Sequence, residues 1–398
     1  MEPKIRFSSS NILYEEKTLS EISTINPKTN VPLEFEYVDL ESVSGTEMTN
    51  HRTEHKATAP SRAQRLAKKG DIFYQTVRPY QKNNYYFDMD DDNYVFSTGY
   101  AQIRPSIYGK YLFTLLQNDS FLKQVLDNCA GTSFPAINPS VLSRLSVRIC
   151  KDKQEQQAIA SYFTSLDSQI SASTSRLASL KQMKAASLQA MFPQEGETVP
   201  KIRFKGFEGE WKTCPLYHFA KKRIEKNTKM LYNITLTNSA EFGIIDQRNF
   251  FDHEISNSEN INGYYVVRDH DFVYNPRISS SAPVGPINQN KLGYTGVMSP
   301  LYLVFEINGI NRDFLEIFFH TTLWHKYMFD NGNTGARFDR LAISDEDFMK
   351  MPIPDIDIEE QQAIANYFTS LDRQISLQSQ RLEKLKQIKS ACLDKMFV

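Results

Sequence analysis

The segment at residues 155–192 returns, with changes, at residues 360–397, which lie 205 positions later, and 25 of the 38 aligned positions are identical. A second echo, PKIRF at residues 3–7 and again at residues 200–204, is offset by 197 positions. A fixed-period repeat of this length indicates that the same structural element occurs twice in the chain. Because the sequence between the repeated parts differs far more, we predict two tandem units. Each unit would be a globular body followed by a long helix, with equivalent helices and unlike bodies.

Apolar residues recur in the repeated segments at alternating steps of four and three positions. This spacing, sustained over about four heptads, is typical of a coiled-coil seam. Polar residues interrupt both seams at equivalent places, Ser173 and Lys184 in the first and Gln378 and Lys389 in the second. Such interruptions can fix the register of a coil. The seam positions that we predict are Ile159, Phe163, Leu166, Ile170, Leu177 and Leu180 in the first helix, and Ile364, Phe368, Leu371, Ile375, Leu382 and Leu385 in the second.

Both helices are expected to begin with a capping box, in which Asp152 or Asp357 is the N-cap and Glu155 or Glu360 follows three residues later. The first helix leads from the first body to the second, and the second helix starts from the second body. Pairing within one chain therefore favours an antiparallel coil with a body at each end and a pseudo-twofold relation between the halves. A generic dimerising coil stays open as the alternative.

The composition is that of a soluble protein with room for two domains. The chain has 398 residues and a formal net charge of −1, which allows two bodies of about 150 residues plus extended helices. No apolar run approaches the roughly 18 residues that span a membrane, and the first residues lack the apolar core of a signal peptide. The four cysteines are scattered without CxxC spacing. We expect a cytoplasmic protein that binds no membrane.

Each body is predicted to be a mixed α and β domain, so that the fold class is α+β. Residues 97–107 and 298–307 have strand patterns, and residues 111–129 and 312–329 each have the pattern of one amphipathic helix. The boundaries that we predict are a first body at 1–151, a central helix at 152–193, a linker at 194–199, a second body at 200–356 and a C-terminal helix at 357–398.

Each body carries a cluster of basic residues although the chain as a whole is nearly neutral. The clusters lie between residues 51 and 70 and between residues 221 and 229, each against a single glutamate. Basic patches of this kind are the electrostatic footprint of nucleic-acid binding, and a solvated surface is the alternative reading. The cluster residues that we single out are Arg62, Arg65, Lys68 and Lys69 in the first body, and Lys221, Lys222 and Arg223 in the second.

Polar residues just beyond predicted strands are candidate readers of DNA bases. Arg, Asn and Gln side chains can make bidentate hydrogen bonds to base edges. As single residues these are weak signals. The candidates are Gln75, Arg78, Asn83 and Asn84 in the first body, and Asn275, Arg277, residues 279–281, Thr334 and Arg337 in the second.

Motifs for catalysis are missing from the sequence. There is no GxxxxGK[ST] phosphate loop and no Gly-rich strand–turn–helix for a nucleotide cofactor. The tetrapeptide of amino-methyltransferases is also missing, and the seven histidines form no metal-ligand cluster. We therefore expect no catalytic residue, no metal and no cofactor in this chain.

The repeated motifs resemble those of one known family. EQQAIAxYFTSLDxQI, then RLxxLKQxK and a terminal MF, resemble the helical repeats of type I restriction–modification specificity (S) subunits. PKIRF at a domain start, GFEGEW at residues 206–211 and PIP before the second helix belong to the same pattern. The first unit departs from it, because SSSNILY replaces GFEGEW at residues 8–14 and RIC replaces the proline pair at residues 148–150.

The resemblance implies a division of labour in a complex. Each body would be a target recognition domain for one half of a bipartite site in double-stranded DNA. The antiparallel coil would set the spacer between the half-sites. Each helical region would also dock one of two modification (methyltransferase) subunits, through the twelve seam residues named above. Adenine methylation with S-adenosylmethionine would reside in the modification subunits, and ATP- and Mg-dependent translocation and cleavage in restriction subunits.

Two readings from other classes stay open at this point. The chain could itself be a DNA-modifying enzyme, which the missing cofactor and catalytic motifs weigh against. It could also be an interaction scaffold built on a coiled coil whose bodies bind protein rather than DNA. The matched basic clusters favour DNA over that scaffold.

Overall fold

The computed structural model describes residues 3–7, 14–131, 133–249, 258–334 and 339–397. The chain forms two compact units, one from Met1–Ser175 together with Ser379–Val398 and the other from Arg176–Gln378. Each unit contains one body and one part of each long helix. In the described residues, no helix is both long enough and apolar enough to cross a membrane.

The body of the first unit is built on two four-stranded sheets. One has the strand order β2-β11-β8-β9 and the other β6-β3-β10-β7, and a separate pair β1-β12 closes the body next to the long helix. The strands are β1 (Tyr14–Thr18), β2 (Ser23–Ile25), β3 (Glu34–Val38), β4 (Val43–Ser44), β5 (Glu47–Met48), β6 (Arg52–His55), β7 (Ala63–Leu66), β8 (Ile72–Gln75), β9 (Tyr85–Tyr86), β10 (Tyr94–Ser97), β11 (Tyr100–Pro105) and β12 (Ser146–Cys150).

Successive side chains of β8 point to opposite faces, one toward the second sheet and the next toward the helices of the first body. Phe73 points to the second sheet, where its ring stacks on Phe96 of β10 with centroids 3.6 Å apart. Its neighbour Tyr74 points the other way and meets Phe121 edge to face, as the period of two in a strand requires. The helices of this unit are α1 (Leu19–Ile22), α2 (Gly109–Leu115), α3 (Asp119–Asp127), α4 (Pro139–Leu142) and the long helix α5 (Lys153–Ala190).

The body of the second unit repeats the central sheet. Its four-stranded sheet has the order β14-β21-β18-β19, which matches β2-β11-β8-β9, and the pair β13-β22 matches β1-β12. The strands are β13 (Lys212–Pro215), β14 (Ala220–Lys222), β15 (Leu236–Ser239), β16 (Gly243–Asp246), β17 (Tyr265–Val267), β18 (Phe272–Tyr274), β19 (Ile287–Gln289), β20 (Gly296–Met298), β21 (Leu303–Ile307) and β22 (Pro352–Asp355). The helices are α6 (Arg312–Phe319), α7 (His325–Asn331), α8 (Asp345–Met349) and the long helix α9 (Ile358–Met396).

In each unit the two long helices pack side by side and run antiparallel. In the first unit Tyr162 meets Cys392 and, further along α5, Asp167 accepts from Lys389, so the partner number falls as the α5 number rises. In the second unit Lys184 bonds Asp372 at 2.5 Å and Ser187 bonds Tyr367. The α+β tandem repeat with antiparallel long helices is thus confirmed.

The predicted seam positions lie on the packed face of these helices. Ile170, Leu177 and Ile375 are half-buried and the other nine are buried. The polar seam residues Ser173 and Gln378 are buried as well, whereas Lys184 and Lys389 extend to the aspartates of the opposite helix.

The PKIRF segments fasten the helix ends in both units. Ile5 donates its backbone N–H to the Lys395 carbonyl near the end of α9, and Ile202 does the same to Ala190 at the end of α5. Arg6 and Arg203 bind the buried carboxylates of Glu155 and Glu360 with two hydrogen bonds each. Each unit therefore joins one PKIRF segment, the start of one long helix and the end of the other.

Two details of the helices differ from the prediction. Asp152 does accept the Gln154 N–H as an N-cap, but Glu155 binds Arg6, 149 residues away, instead of closing a capping box. The single helix expected at residues 111–129 is two helices, because the Asn118 side chain caps a new helix by accepting from Ser120. The helix expected at residues 312–329 is likewise divided between α6 and α7.

Candidate nucleic-acid interface

A pair of loops joined by backbone hydrogen bonds follows the central strand of the first body. We define the first loop pair as residues 76–84, which follow β8, and residues 130–137, of which Thr132 is not described. Ile137 donates to the Thr76 carbonyl at 3.0 Å and Arg78 donates to the Pro135 carbonyl at 2.8 Å. The two loops are therefore held together as one surface at the end of the sheet.

The second body has the same arrangement. We define the second loop pair as residues 276–286, which follow β18, and residues 333–341, of which 335–338 are not described. Leu341 donates to the Pro276 carbonyl at 2.9 Å and Ile278 donates to the Asp339 carbonyl at 3.1 Å. The bodies thus share a backbone frame although their loop sequences differ.

The loop after β8 forms a short rigid turn, which we call the knuckle (residues 78–82). A 3₁₀ turn at Pro79–Gln81 is flanked by Arg78 and Lys82, both with left-handed backbone angles. Non-glycine residues in this conformation cost of order 1–2 kcal/mol each, so surrounding contacts must hold them. Lys82 supplies such contacts, because its ammonium group binds the Gln117 carbonyl and Asp119.

Gln75 fastens the knuckle from inside instead of facing solvent. Its side chain is 1% exposed, and its amide donates to the Val77 carbonyl and to Gln81 while accepting from the Asn83 backbone. The buried Asn84 side chain accepts from the Gln75 N–H. The structure therefore contradicts the prediction of base contact for these two amides, because burial and these bonds occupy them.

Asn275 has the same internal role in the second body. It is buried, donates to the Asn238 carbonyl and accepts from the Arg277 backbone, so it too is excluded from base contact in this conformation. Asn83 differs, because it is half-buried and accepts the N–H of Gly45. Of the amide candidates, only Asn83 stays near the surface.

Ion pairs divide the basic residues of the first body into two groups. Lys69 is paired with Asp90 at 2.6 Å, which neutralises its charge locally. Arg52 of the same cluster is paired with Asp39 and Glu54. Within the described part of the chain, no carboxylate forms an ion pair with the other three cluster residues singled out above or with the knuckle arginine. These unpaired cations are Arg62, Arg65, Lys68 and Arg78.

Arg65 is the most unusual of these cations because it is partly withdrawn from water. Among the described residues, no group forms a hydrogen bond with its buried Nε atom, and burial lowers the pKa of its guanidinium. A cation without a protein counterion at a surface strand is a suitable contact for a phosphate group. The Arg62 backbone carbonyl accepts the N–H of Thr98, and the Gly99 carbonyl of the same turn accepts from Thr76, so the backbone of Arg62 lies near the start of the first loop pair.

The second body shows the same division. Lys222 is paired with Asp345, and Arg223 is held between Asp271 and Glu306, so both belong to the internal ion-pair network. Lys221 and Arg277 are exposed, and no ion pair involves them in the ranges that the structure covers. Thr334 is exposed, and Arg337 lies outside the described residues.

A groove of about 450 Å³ in the second body brings two sequence candidates together. Lys222 and Thr334 line it along with Tyr265, Tyr302 and Arg340. Pro276 at the start of the second loop pair forms part of the same wall. The groove therefore continues the loop surface of this body.

Exposed aromatic residues of the first loop pair were missed by the sequence analysis. Phe134 is 61% exposed and Tyr80, at the tip of the knuckle, is 50% exposed. The Arg78 guanidinium carbon lies 4.4 Å from the centre of the Phe134 ring. The available signal was an aromatic residue within a polar, glycine-containing turn, where burial is not expected.

Each unit also exposes an equivalent apolar patch beside its helices. In the first unit Ile5 and Phe7 are exposed, and the Phe7 ring lies 5.5 Å from Tyr162 of α5. In the second unit Ile202 is exposed, and Phe204 lies 6.1 Å from Tyr367 of α9. We call these the first and second PKIRF patches. They are made by equivalent residues, unlike the loop pairs.

Metal binding finds no support in the ranges described above. No group of three or more His, Cys, Asp or Glu residues among them is placed to hold an ion. The free cations, hydroxyls and aromatic rings of the loop pairs are groups that contact phosphates and bases. These two surfaces are the candidate sites.

Comparison with known proteins gives a consistent set of relatives. The model of the type I restriction modification DNA specificity domain matches residues 11–182. The specificity subunit of the type I restriction enzyme HindI of Haemophilus influenzae is 34% identical over 139 residues, which cover 33% of this chain and 30% of that subunit. The match thus spans about a third of the length of that relative.

Two solved structures share the fold over nearly the whole chain. The S subunit of a type I restriction-modification system from M. genitalium has a TM-score of 0.62 at 14% identity and covers 100% of this chain and 99% of its own. A chain from a study of assembly and conformational transition of the type I R-M system has a TM-score of 0.55 at 20% identity, with 97% and 98% coverage. These similarities extend the fold of S subunits to both units.

Proposed function

We propose that this chain is a specificity subunit of the type I restriction-modification family, whose DNA specificity domain model matches residues 11–182, and that it determines the DNA sequence to which a type I complex binds. Each body reads one half of a bipartite site in double-stranded DNA through its own loop pair. The observation that carries this proposal is the shared backbone frame with unlike side chains. Two domains that bind unequal half-sites require loops with a common backbone arrangement and different side chains.

Phosphate and base contacts are divided among different residues in this proposal. The unpaired cations Arg62, Arg65 and Lys68 in the first body, and Lys221 in the second, contact the DNA backbone and position each body. Arg78 and Arg277 on the loop pairs, with Thr334 and residues 279–281, face the bases. Phosphate contacts give affinity without sequence information, and base contacts give specificity.

The two PKIRF patches dock two copies of one modification subunit. The seam leucines and isoleucines are already packed inside each unit, so a partner needs apolar groups that stay outside. Equivalent patches in the two units fit two copies of a single partner, which explains why these residues repeat while the loops do not. Restriction subunits join the complex through the modification subunits or DNA.

The length of the long helices sets the DNA spacer in this proposal. The lysine–aspartate pairs at equivalent places in the two units hold the register of the antiparallel helices. Inserting one heptad at equivalent points of α5 and α9 is expected to lengthen the preferred spacer and leave both half-sites unchanged. An altered half-site with the old spacer would contradict this role.

Chemistry resides in the partner subunits. Methyl transfer belongs to the modification subunits with S-adenosylmethionine, and translocation and cleavage belong to the restriction subunits with ATP and Mg. This chain contributes binding and orientation. Incubation of the purified chain alone with S-adenosylmethionine and duplex DNA is expected to give no methylation.

The proposed function is tested by sequencing methylated bases in a host that carries this chain and its modification subunit. We expect a single bipartite motif with a fixed spacer that disappears when the chain is deleted. Substituting Ile5 and Ile202 with Asp is expected to abolish co-purification of the modification subunit and the methylation, and Lys4→Asp is the matched surface control. Methylation that persists without the chain would overturn the proposal.

A further inference from the structure

The knuckle of the first body presents a guanidinium group that is held in place by an aromatic ring. Arg78 lies over Phe134 at 4.4 Å from the ring centre, and more than half of the Phe134 side chain is exposed. No carboxylate in the described ranges forms an ion pair with Arg78. The cation is therefore oriented by a ring contact while its hydrogen-bond donors stay available.

Contacts around the knuckle hold this pair in a fixed position. The Arg78 N–H is bonded to Pro135, one residue after Phe134, so the backbones that carry the two side chains are fastened directly to each other. Buried Gln75 ties both ends of the turn. A side chain that is already ordered loses less conformational entropy on binding, and this favours a role in readout over one in loose phosphate attraction.

The chemistry of an adjacent arginine and phenyl ring matches two neighbouring base pairs. A guanidinium group forms two hydrogen bonds with O6 and N7 of guanine, and a Phe ring makes apolar contact with the methyl group of thymine, both in the major groove. Successive bases of one strand lie about 3.4 Å apart along the duplex. This rise is comparable to the separation of the Arg78 and Phe134 groups.

We propose that Arg78 and Phe134 together read a G·C pair next to a T·A pair in the half-site of the first body. This inference rests on the proposed function and assigns the base step that one loop pair reads. The equivalent turn of the second body carries serines at 279–281, where Ser279 and Ser281 bond each other. No arginine–aromatic contact is present among the described residues of that turn, and the assignment is made for the first body alone.

The test uses the complex of the full chain with its modification subunit and duplexes that contain the methylated motif. Replacing the guanine of the step by 7-deazaguanine removes the N7 acceptor. We expect about tenfold weaker binding by the unmodified complex and no further loss in the complex with Arg78→Met, which keeps the length of the side chain and removes its hydrogen-bond donors. Replacing the thymine by uracil removes the methyl group and is expected to weaken binding a few-fold, but not for Phe134→Ala.

Two control variants separate this readout from general effects. Arg62→Ala is expected to weaken binding to all duplexes alike and to reduce its salt dependence. Phe329→Ala, which removes a comparably exposed ring in the second unit, is expected to leave the response to both modified bases intact.

The outcomes distinguish this inference from the proposed function. If the unmodified complex shows no preference for the methylated motif, the proposed function fails. If it prefers the motif but neither half-site contains adjacent G·C and T·A pairs, the inference alone is overturned. The same holds if Arg78→Met and Phe134→Ala keep the full response to the modified bases.

Discussion

The two loop pairs occupy the same position after equivalent strands and yet present different chemistry. In the first body the strand is followed by a knuckle with two left-handed residues, Arg78 and Lys82, and an arginine on a phenyl ring. In the second body it is followed by a serine turn and exposed Arg277. The backbone hydrogen bonds that join each loop pair are nevertheless equivalent, so the two bodies share a backbone frame and differ in the side chains of their loops.

The two frames are also supported by different interior residues. In the first body the Gln75 side chain and the buried Asn84 side chain tie the loop to its strand. In the second body Asn238, Asn275 and Asn288 form a buried network that reaches the Val273 and Pro286 carbonyls. The comparison teaches that the position of the loops is set by the sheet, whereas local fastening is adapted to each loop. In the proposed function, half-site specificity can therefore change without altering the scaffold.

The largest effect is expected where both units use the same anchor. Arg6→Ala leaves the buried Glu155 carboxylate unpaired, and Arg203→Ala does the same to Glu360, because these carboxylates have almost no solvent exposure. Removing one partner of a buried ion pair costs about 3–5 kcal/mol. Each variant should lower the unfolding free energy of its own unit, measured by denaturant titration, while the surface control Lys4→Ala changes it little.

A substitution at Gly285 disrupts the backbone frame of the second loop pair without changing the first body. This residue has a φ of +82°, and an added Cβ would lie 2.0 Å from the Asn275 carbonyl oxygen. Gly285→Ala is expected to destabilise the second unit by about 2–5 kcal/mol, from backbone strain and overpacking together. Binding to one half-site should be lost with it.

Gly293 supplies the matched control for that variant. Its φ of +75° is similar, but nothing lies within 4 Å of an added Cβ, so Gly293→Ala carries the backbone strain alone, about 1–2 kcal/mol. Equal losses in the two variants, measured by thermal unfolding, would show that the contact with Asn275 does not matter.

The first frame depends on Gln75 in the same way. Gln75→Ala leaves the Val77 carbonyl and the Asn83 N–H without their partner, at a cost of about 1–3 kcal/mol. We expect weaker discrimination at the half-site of the first body and an unchanged second half-site, measured by binding to singly altered duplexes. Full discrimination in this variant would mean that the knuckle needs no internal fastening.

The smallest expected effect is a pH dependence at the first anchor. Burial acts to raise the pKa of Glu155, but hydrogen bonds from Arg6 and from the Cys150 thiol outweigh it and hold the pKa below its ordinary value of 4.5. Stabilisation from this lowered pKa is present above pH 4.5 and is lost as the pH falls through the folded-state value. The difference in unfolding free energy between the unmodified chain and Glu155→Gln should therefore shrink in acid, and a constant difference would contradict the assignment.

The sequence predicts periodic features well and long-range side-chain contacts poorly. The heptad spacing gives the long helices and their packed faces, and the chain connectivity gives their antiparallel pairing. No local sequence pattern reveals that the Glu155 side chain binds Arg6 instead of capping the N-terminal end of its own helix. The division of the helix at Asn118 is also missed, because apolar periodicity continues across a cap that only its side-chain bond reveals.

The candidate interface is predicted in part for a similar reason. A polar residue after a strand can face solvent or fasten the turn, and Gln75 and Asn275 do the latter. Their residue types fit both roles equally well. Conversely, phenylalanine is a residue type that is usually buried in a core. Only the hydrogen bonds between the two loops show that Phe134 is exposed in the first loop pair.

The central claim is that each body reads one half-site independently within a common frame. Exchanging residues 14–150 for the equivalent body of a relative, followed by sequencing of methylated bases in the host, tests it most directly. The account predicts a motif in which one half-site is new while the other half-site and the spacer are unchanged. A motif in which both half-sites change, or in which only the spacer changes, would contradict it.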